Sequence, residues 1–154
     1  MGDTSMNSSV SVAKIAELLD LKNFTDEIDL KKRKITTTDI NRPALQLTGY
    51  FEHFEESRVE IIGNVEYAYI QQMSDEEKRI RYSAFLQFEI PCVIFCRDLQ
   101  PDAIFIEQAE KNHVPILGTG RPTSEFMAEL IYTLAEKLAP SITVHGVLVD
   151  VYGE

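Results

Sequence analysis

The stretch that decides the fold is "CVIFCRDLQPDAIFIEQAEKNHVPILGT", residues 92–119. It begins with a short apolar run, 92–96, whose β-branched and aromatic residues predict a buried strand. Pro101 then introduces a segment whose apolar residues recur at helical spacing, and a second β-rich run follows at 114–119. Strand, helix and strand in this order predict a unit whose two strands run parallel.

The same alternation extends to both sides of this stretch. Before it lie a strand at 58–63, a segment at 64–73 for which we favour a helix, and a helix at 74–88 that opens with a capping-box pattern. After it comes the clearest helix, at 122–139, and then a terminal strand at about 142–151. We therefore expect an α/β layered domain with a mixed, largely parallel sheet flanked by helices.

The first third of the chain is more polar. We expect a flexible tail over residues 1–10, a helix at 11–21 that a serine caps, and a short strand at 34–40. Pro43 suits the first turn of a short helix, and Gly49 suits its end. No repeat or long linker interrupts the rest of the chain, which indicates a single domain.

That domain is expected to span residues 11–140, and residues 141–154 are expected to form a strand that leads out of it.

Composition favours an ordinary globular protein and argues against two broad classes of partner. The 154 residues carry a formal net charge of −10, and basic residues cluster only at 31–34. Surfaces that bind nucleic acid or anionic membranes need clustered Lys and Arg, so we expect neither partner. We also expect no membrane span and no signal peptide, because the apolar runs are too short.

The two cysteines, Cys92 and Cys96, lie on one predicted strand. Four residues of a strand span about 13 Å, whereas a disulfide needs Cα atoms within about 7 Å. The two thiols therefore cannot pair with each other there. We expect buried, reduced, structural cysteines, which is typical of a protein of the cytoplasm.

Few residues suggest chemistry. The segment "GTGRPTSE" (118–125) resembles a phosphate loop faintly, because glycines precede a predicted helix. It lacks the lysine, so a plain strand-to-helix turn is favoured. Asp39 and Arg42 could form a charged hinge or contact a ligand, but we favour a local turn in which Asp39 caps backbone amides. His53 is expected to be exposed, and His113 to lie at a helix end.

His145 differs from the other histidines, because it interrupts an apolar strand. Alternation places it on one face with Val147 and Val149. Histidine titrates near neutral pH, so it can assist proton transfer or hold a phosphate. From the residues alone, the simpler interpretation is that His145 is a structural residue of the sheet whose hydrogen bonds are satisfied.

Several phrases, in this order, resemble the N-terminal part of bacterial HPr kinase/phosphorylase. They are "DINRPALQLTGYF" (39–51), "RVEIIGNVEY" (58–67), "VPILGTGRPTS" (114–124) and "TVHGVLVDVYG" (143–153). The first departs mildly from the family pattern, with Asn for serine, Ala for glycine and Gln for glutamate. The resemblance covers about residues 11–154.

The resemblance implies a bifunctional, cytoplasmic enzyme of carbon catabolite repression. Such an enzyme phosphorylates a serine of the phosphocarrier protein HPr with ATP or pyrophosphate, and removes the phosphate by phosphorolysis. It is a hexamer that uses Mg²⁺ and a glycine-rich P-loop, which follows the strand that carries the histidine. The family's catalytic histidine corresponds to His145. This chain ends before the loop, so we expect a fragment that holds no cofactor and is inactive alone.

The resemblance also implies a fold similar to the small N-terminal domain of the muramyl ligases. Two other roles stay open for the chain. It could be a stand-alone regulatory domain that binds a sugar phosphate or a nucleotide sugar, or a structural module that drives oligomerisation.

Overall fold

A computed structural model describes residues 8–140, which form short strands and helices around one main sheet. The strands are β1 (Val10–Ser11), β2 (Lys22–Asn23), β3 (Lys34–Ile35), β4 (Ile40–Asn41), β5 (Val59–Ile62), β6 (Val93–Phe95) and β7 (Ile116–Gly118). The α-helices are α1 (Val12–Leu18), α2 (Ala44–Leu47), α3 (Asn64–Gln71), α4 (Asp75–Leu86), α5 (Ala103–Lys111) and α6 (Thr123–Leu138). A short 3₁₀ helix covers Leu30–Lys32.

The main sheet has five strands in the order β2-β7-β6-β5-β4. Its last four strands run parallel to one another, and β2 joins the edge antiparallel to β7. The sheet is therefore mixed and largely parallel, which confirms the predicted fold class. A separate two-stranded sheet pairs β1 with β3.

The core lies on both faces of the main sheet, because neighbouring residues of a strand point to opposite sides. On β5, Ile61 packs with α1 and α6, whereas Ile62 packs with α3, α4 and α5. On β6, Ile94 and Phe95 divide in the same way. Burial on both faces explains why these strands are apolar throughout rather than alternating with polar residues.

Side chains fix where several helices begin and end. The Ser11 hydroxyl accepts a hydrogen bond from the Lys14 amide at the start of α1, as expected. Ser74 and Glu77 form the predicted capping box of α4. Gly49 follows α2 with φ of 98°, a left-handed conformation that favours glycine and ends the helix.

The prediction of one strand over 34–40 was wrong. β3 and β4 lie at its two ends in different sheets, since the Thr37 hydroxyl accepts a hydrogen bond from the Asp39 amide and supports a turn between them. Val10, which had been assigned to the tail, is buried in β1 and pairs with Ile35. The predicted terminal strand lies outside the described residues, as does most of the tail.

Candidate functional site

The carboxyl ends of the parallel strands meet at one edge of the sheet, where open α/β proteins bind ligands. At this edge a cavity of about 240 Å³ opens between the first turns of α3 and α6. We call it the α3–α6 cleft. Its lining residues follow β4, β5, β6 and β7 in turn, and they are Arg42, Asn64, Val65, Arg97, Thr123 and Ser124.

Gly63 brings the chain close to two of these residues. A Cβ atom at this position would lie 2.7 Å from Arg42 Nη2 and 2.8 Å from Thr123 Oγ1. Real side chains essentially never approach so closely, so only glycine allows α3 to start against α6 here. The sequence places this glycine directly after β5, where a strand-to-helix turn requires it.

Arg42 is held by a buried carboxylate. Its Nη2 lies 2.8 Å from Oε1 of Glu66, a residue of α3 that is only 3% exposed. The same oxygen accepts a hydrogen bond from the Gly63 amide at 2.8 Å. Arg42 Nε is buried and has no hydrogen-bond partner among residues 8–140, so the guanidinium has an unused donor there.

Arg97 reaches the cleft from a constrained turn after β6. Arg97 and Asp98 both have positive φ, 61° and 59°, which is uncommon for residues other than glycine. Their amides donate to the carbonyls of Arg121 and Thr119, at 3.0 and 2.9 Å, which fixes the turn against the segment after β7. Arg97 is exposed and makes no ion pair within residues 8–140.

Thr123 contributes a buried hydroxyl to the wall of the cleft. The residue is 5% exposed, and within residues 8–140 its Oγ1 forms no hydrogen bond that meets the usual geometric limits. Burial raises the pKa of the nearby Cys96 thiol to about 11, although its contact with the Thr123 hydroxyl and the charges of Arg42 and Arg97 act to lower it. Cys96 is therefore protonated at neutral pH and offers no nucleophilic thiolate.

The two helices that border the cleft start without side-chain caps. Gly63 and Pro122 occupy the N-cap positions of α3 and α6, and neither residue has a side-chain acceptor. By contrast, Ser11, Ser74 and Asp102 cap the other three helices of seven residues or more. First-turn residues of both helices line the cleft. Each first turn also carries a carboxylate, Glu66 in α3 and Glu125 in α6, which offsets part of the positive end of the helix dipole.

A second cavity is lined in part by Asp98, the neighbour of Arg97 in the same turn. It measures about 230 Å³ and is lined by residues that include Lys22, Asp98 and Thr119. Lys22 Nζ stands 4.9 Å from the centre of the Phe24 ring. Acidic and basic groups are mixed here, so this cavity has less preference for an anion than the cleft.

A buried polar cluster lies beneath the same edge of the sheet. Asn41 Nδ2 donates to Glu60 Oε1 at 2.8 Å and to Gln46 Oε1 at 3.1 Å. Glu60 is fully buried, and its Oε2 has no hydrogen-bond partner in the described part of the chain. Burial raises its pKa to about 8, against the opposing effects of the Asn41 hydrogen bond and the Arg58 charge. The Glu60 carboxyl is therefore mostly protonated at neutral pH.

The structure separates the remaining sequence candidates. His53 is exposed, and His113 is exposed at the end of α5, so both predictions are confirmed. Cys92 and Cys96 are buried and free, as expected. The proposed capping role of Asp39 was wrong, because the Thr37 hydroxyl accepts from the Asp39 amide and the carboxylate makes no hydrogen bond within residues 8–140.

The segment 118–125 is a strand-to-helix turn, as favoured, but its end forms part of the cleft wall. His145 lies outside the described residues, so its catalytic role stays a prediction. Within residues 8–140, no group of three or more His, Cys, Asp or Glu residues could hold a metal ion. Over the same range, no helix combines the length and apolarity needed to cross a bilayer.

Sequence reasoning missed Arg97, Asn64 and Glu60. A usable signal existed for the first two, since each directly follows a buried parallel strand, where ligand-binding side chains are found. The cleft contains donors and positive charge but no nucleophile with a neighbouring base among the described residues. Such an arrangement suits the binding of an anion rather than bond making.

Comparison with known proteins finds relatives along almost the whole chain. The family model described as HPr Serine kinase N terminus matches residues 10–134. The HPr kinase/phosphorylase of Lachnoclostridium phytofermentans is 48% identical over 146 residues, which are 95% of this chain and 47% of that protein. That of Caldicellulosiruptor bescii is 44% identical over 144 residues, 94% of this chain and 46% of the relative. The chain spans about half the length of these curated relatives.

Among solved structures, the chain is similar to the CBS and DRTGG domains of the regulatory region of Clostridium perfringens pyrophosphatase, complexed with the activator diadenosine tetraphosphate. The TM-score is 0.58 at 17% identity, and the match covers 96% of this chain and 57% of that chain. At this identity the likeness supports the α/β fold alone.

Proposed function

Because the chain belongs to the HPr serine kinase N-terminus family, we propose that it is the regulatory or assembly domain of an enzyme that phosphorylates a serine of the phosphocarrier protein HPr. The enzyme uses ATP or pyrophosphate, and it removes the phosphate by phosphorolysis. This pair of reactions controls carbon catabolite repression in the cytoplasm.

The 48% identity with an HPr kinase/phosphorylase over 95% of the chain carries this proposal. The relatives are about twice as long as the chain, so the other half of each relative is available for catalysis. The cleft offers no nucleophile and base of its own, which is consistent with chemistry located elsewhere in the enzyme. We therefore propose that residues 1–154 alone are inactive.

ATP or pyrophosphate, together with Mg²⁺, is proposed to bind a P-loop that follows residue 154. Backbone amides of such a loop hold the phosphates, and its hydroxyl binds the metal. His145 is proposed as the catalytic residue that this chain supplies, positioning phosphate oxygens or supporting proton transfer. The enzyme is proposed to be a hexamer, with HPr as its protein substrate.

Two observations on the parent gene test the proposal. The coding sequence after Glu154 is expected to continue into a glycine-rich loop that ends in Gly-Lys-Ser, and a stop codon there would count against the enzyme. In the full-length protein, His145→Ala is expected to slow both phosphorylation and phosphorolysis. The control is His53→Ala, which removes an exposed histidine that does not line the α3–α6 cleft. Equal rates in both variants and the unaltered enzyme would remove His145 from the site.

A second candidate function is a stand-alone regulatory domain that binds a sugar phosphate or a nucleotide sugar. The α3–α6 cleft favours it, since Arg42, Arg97 and first-turn residues of α3 and α6 line a cavity in the domain itself. Thermal denaturation with each compound class tests it, because a ligand at 100 times its Kd adds about 2.7 kcal/mol of stability. The absence of any shift would contradict this candidate.

A further inference from the structure

Helix α6 has a second apolar side that does not face the core. Its first apolar side, with Phe126, Leu130 and Leu134, is buried against the sheet. The second side consists of four exposed residues, which are Ala128, Ile131, Tyr132 and Ala135. Tyr132 is 70% exposed, the highest value for any large apolar residue in the described part of the chain. A surface helix normally carries polar residues at such positions, so this side suits a partner.

Carboxylates border the second apolar side of α6 along one edge. Glu125 and Glu136 lie seven residues before and four residues after Tyr132, so all three share one edge of the helix. Both carboxylates are exposed, and neither forms an ion pair within residues 8–140. We call the four apolar residues together with Glu125 and Glu136 the α6 face.

A groove of about 440 Å³ with the opposite charge lies between α4 and α5. We call it the α4–α5 groove. Its lining includes Ile80, which is 59% exposed, and the exposed side chains of Arg79 and Lys111. These two cations form no ion pair within residues 8–140. Carboxylates occur within one turn of both residues along their helices, but none of them lines the groove.

We infer that the α6 face of one copy of this chain docks in the α4–α5 groove of a second copy. The inference deepens the proposed assembly role by naming the two surfaces that meet. It concerns this chain alone and does not require a kinase.

Face and groove match in length and in apolar content. Residues 128–135 of α6 and residues 80–87 of α4 each span about 10 Å along the helix axis. The Tyr132 ring would be buried against Ile80, so the two exposed apolar side chains would cover each other. Gln87 lines the same groove and offers a polar group to the Tyr132 hydroxyl, which needs a hydrogen-bond partner when it is buried.

Charge complementarity selects a second copy as the occupant. Each copy carries a formal net charge of −10, so most contacts between copies would be repulsive. Docking of the α6 face in the groove instead brings Glu125 and Glu136 toward Arg79 and Lys111. Complementary charges of this kind fix the register of an interface and disfavour other orientations.

The two surfaces lie on opposite sides of the main sheet. Helix α6 packs on the side of Ile61, whereas α4 and α5 pack on the side of Ile62. Two copies therefore cannot make both contacts with each other, and every contact leaves one α6 face and one groove free. Such a head-to-tail contact continues beyond a dimer, into a ring or a filament.

The experiment measures the molar mass of the 154-residue chain, 17.5 kDa, by sedimentation equilibrium. Concentrations extend from the micromolar to the millimolar range. We expect masses above that of a dimer at the highest concentrations. Tyr132→Gln and Ile80→Gln should each raise the dissociation constant by roughly 10- to 100-fold, because each removes an apolar anchor from one side of the contact.

Mixing the two variants tests the head-to-tail geometry. Tyr132→Gln retains an intact groove, and Ile80→Gln retains an intact α6 face. An equal mixture should therefore form a one-to-one pair with the affinity of the unaltered contact, and nothing larger. If each α6 face instead met a second α6 face, the mixture would associate no better than the Tyr132→Gln variant alone.

Matched controls remove exposed apolar side chains from other helices. Leu45→Gln changes a residue of α2 that is 59% exposed, as Ile80 is, and Tyr69→Gln changes an exposed tyrosine of α3. Both variants should associate like the unaltered chain. If Ile80→Gln failed to fold, Arg79→Glu combined with Lys111→Glu would disable the groove by charge and serve in the same mixture.

Three results would overturn the inference. They are an unaltered chain that stays monomeric or stops at a dimer, a variant mixture that forms no pair, and controls that weaken association as much as the test variants. A monomeric chain would leave both surfaces to another occupant, such as the other half of a full-length enzyme. The kinase proposal would survive each result, because it is tested by the activity of the full-length protein.

Discussion

Glu60 is expected to make the stability of the domain fall as pH rises. It is a fully buried carboxyl in β5. One oxygen accepts a hydrogen bond from Asn41, and the other has no partner among residues 8–140. Burial raises its pKa from 4.5 to about 8 in the folded protein. The unfolded chain therefore loses this proton at lower pH than the folded chain does.

The sign and size follow from proton linkage. Below the unfolded pKa both states carry the proton, and Glu60 has no effect on pH dependence. Between about 4.5 and 8 the folded state binds the extra proton, so unfolding becomes easier by about 1.4 kcal/mol for each pH unit. At pH 7 the loss amounts to about 3 kcal/mol relative to the acidic limit.

Glu60→Gln should remove this dependence, because the amide is neutral at every pH and its oxygen can still accept from Asn41. The assay is urea unfolding followed by far-UV circular dichroism at pH 5, 6, 7 and 8. The variant should match the unaltered chain near pH 5 and exceed its unfolding free energy increasingly above that. Glu27→Gln, at an exposed position, is the control and should not change the profile. A difference between Glu60→Gln and the unaltered chain that stayed constant with pH would refute the reasoning.

Two further predictions concern the packing around the sheet. Asp102→Ala should lower the free energy of unfolding, measured by urea titration, by about 2–3 kcal/mol. The reason is that the Asp102 carboxylate caps α5 and binds Tyr82 and Lys78. A loss below about 0.5 kcal/mol would contradict this role. At pH 8, Cys92 and Cys96 should react with a thiol reagent only as fast as the domain unfolds, because burial raises their pKa values to about 12 and 11. Rapid labelling of the native chain would contradict this prediction, since it would show that the thiols are accessible.

The central elements of the fold could be predicted because their signals are local. The apolar run at 92–96 is too short for a helix and is rich in β-branched residues, and Ser74 with Glu77 marks the start of α4. The two-residue strands β1 and β2 could not be predicted. A segment of two residues is too short to show the alternation that is typical of a strand. These strands form because they pair with Ile35 and Gly118, which lie far away along the chain.

The candidate site was predicted only in fragments. Arg42 and the segment 118–125 were each noted as possible ligand contacts, but a local turn was the simpler interpretation of both. What joins them is the position of α6, whose first residue comes close to Gly63 across the sheet edge. That approach depends on tertiary packing between residues about sixty positions apart, and no local pattern reports it.

The central proposal, that this chain is the N-terminal domain of an enzyme acting on HPr, is tested most directly by one activity measurement. The protein encoded by the full gene is incubated with HPr, Mg²⁺ and either ATP or pyrophosphate, and phosphoserine on HPr is measured by mass spectrometry. We predict that phosphoserine forms with either donor, and that inorganic phosphate then removes it and releases pyrophosphate. A folded full-length protein that left HPr unmodified with both donors would contradict the account.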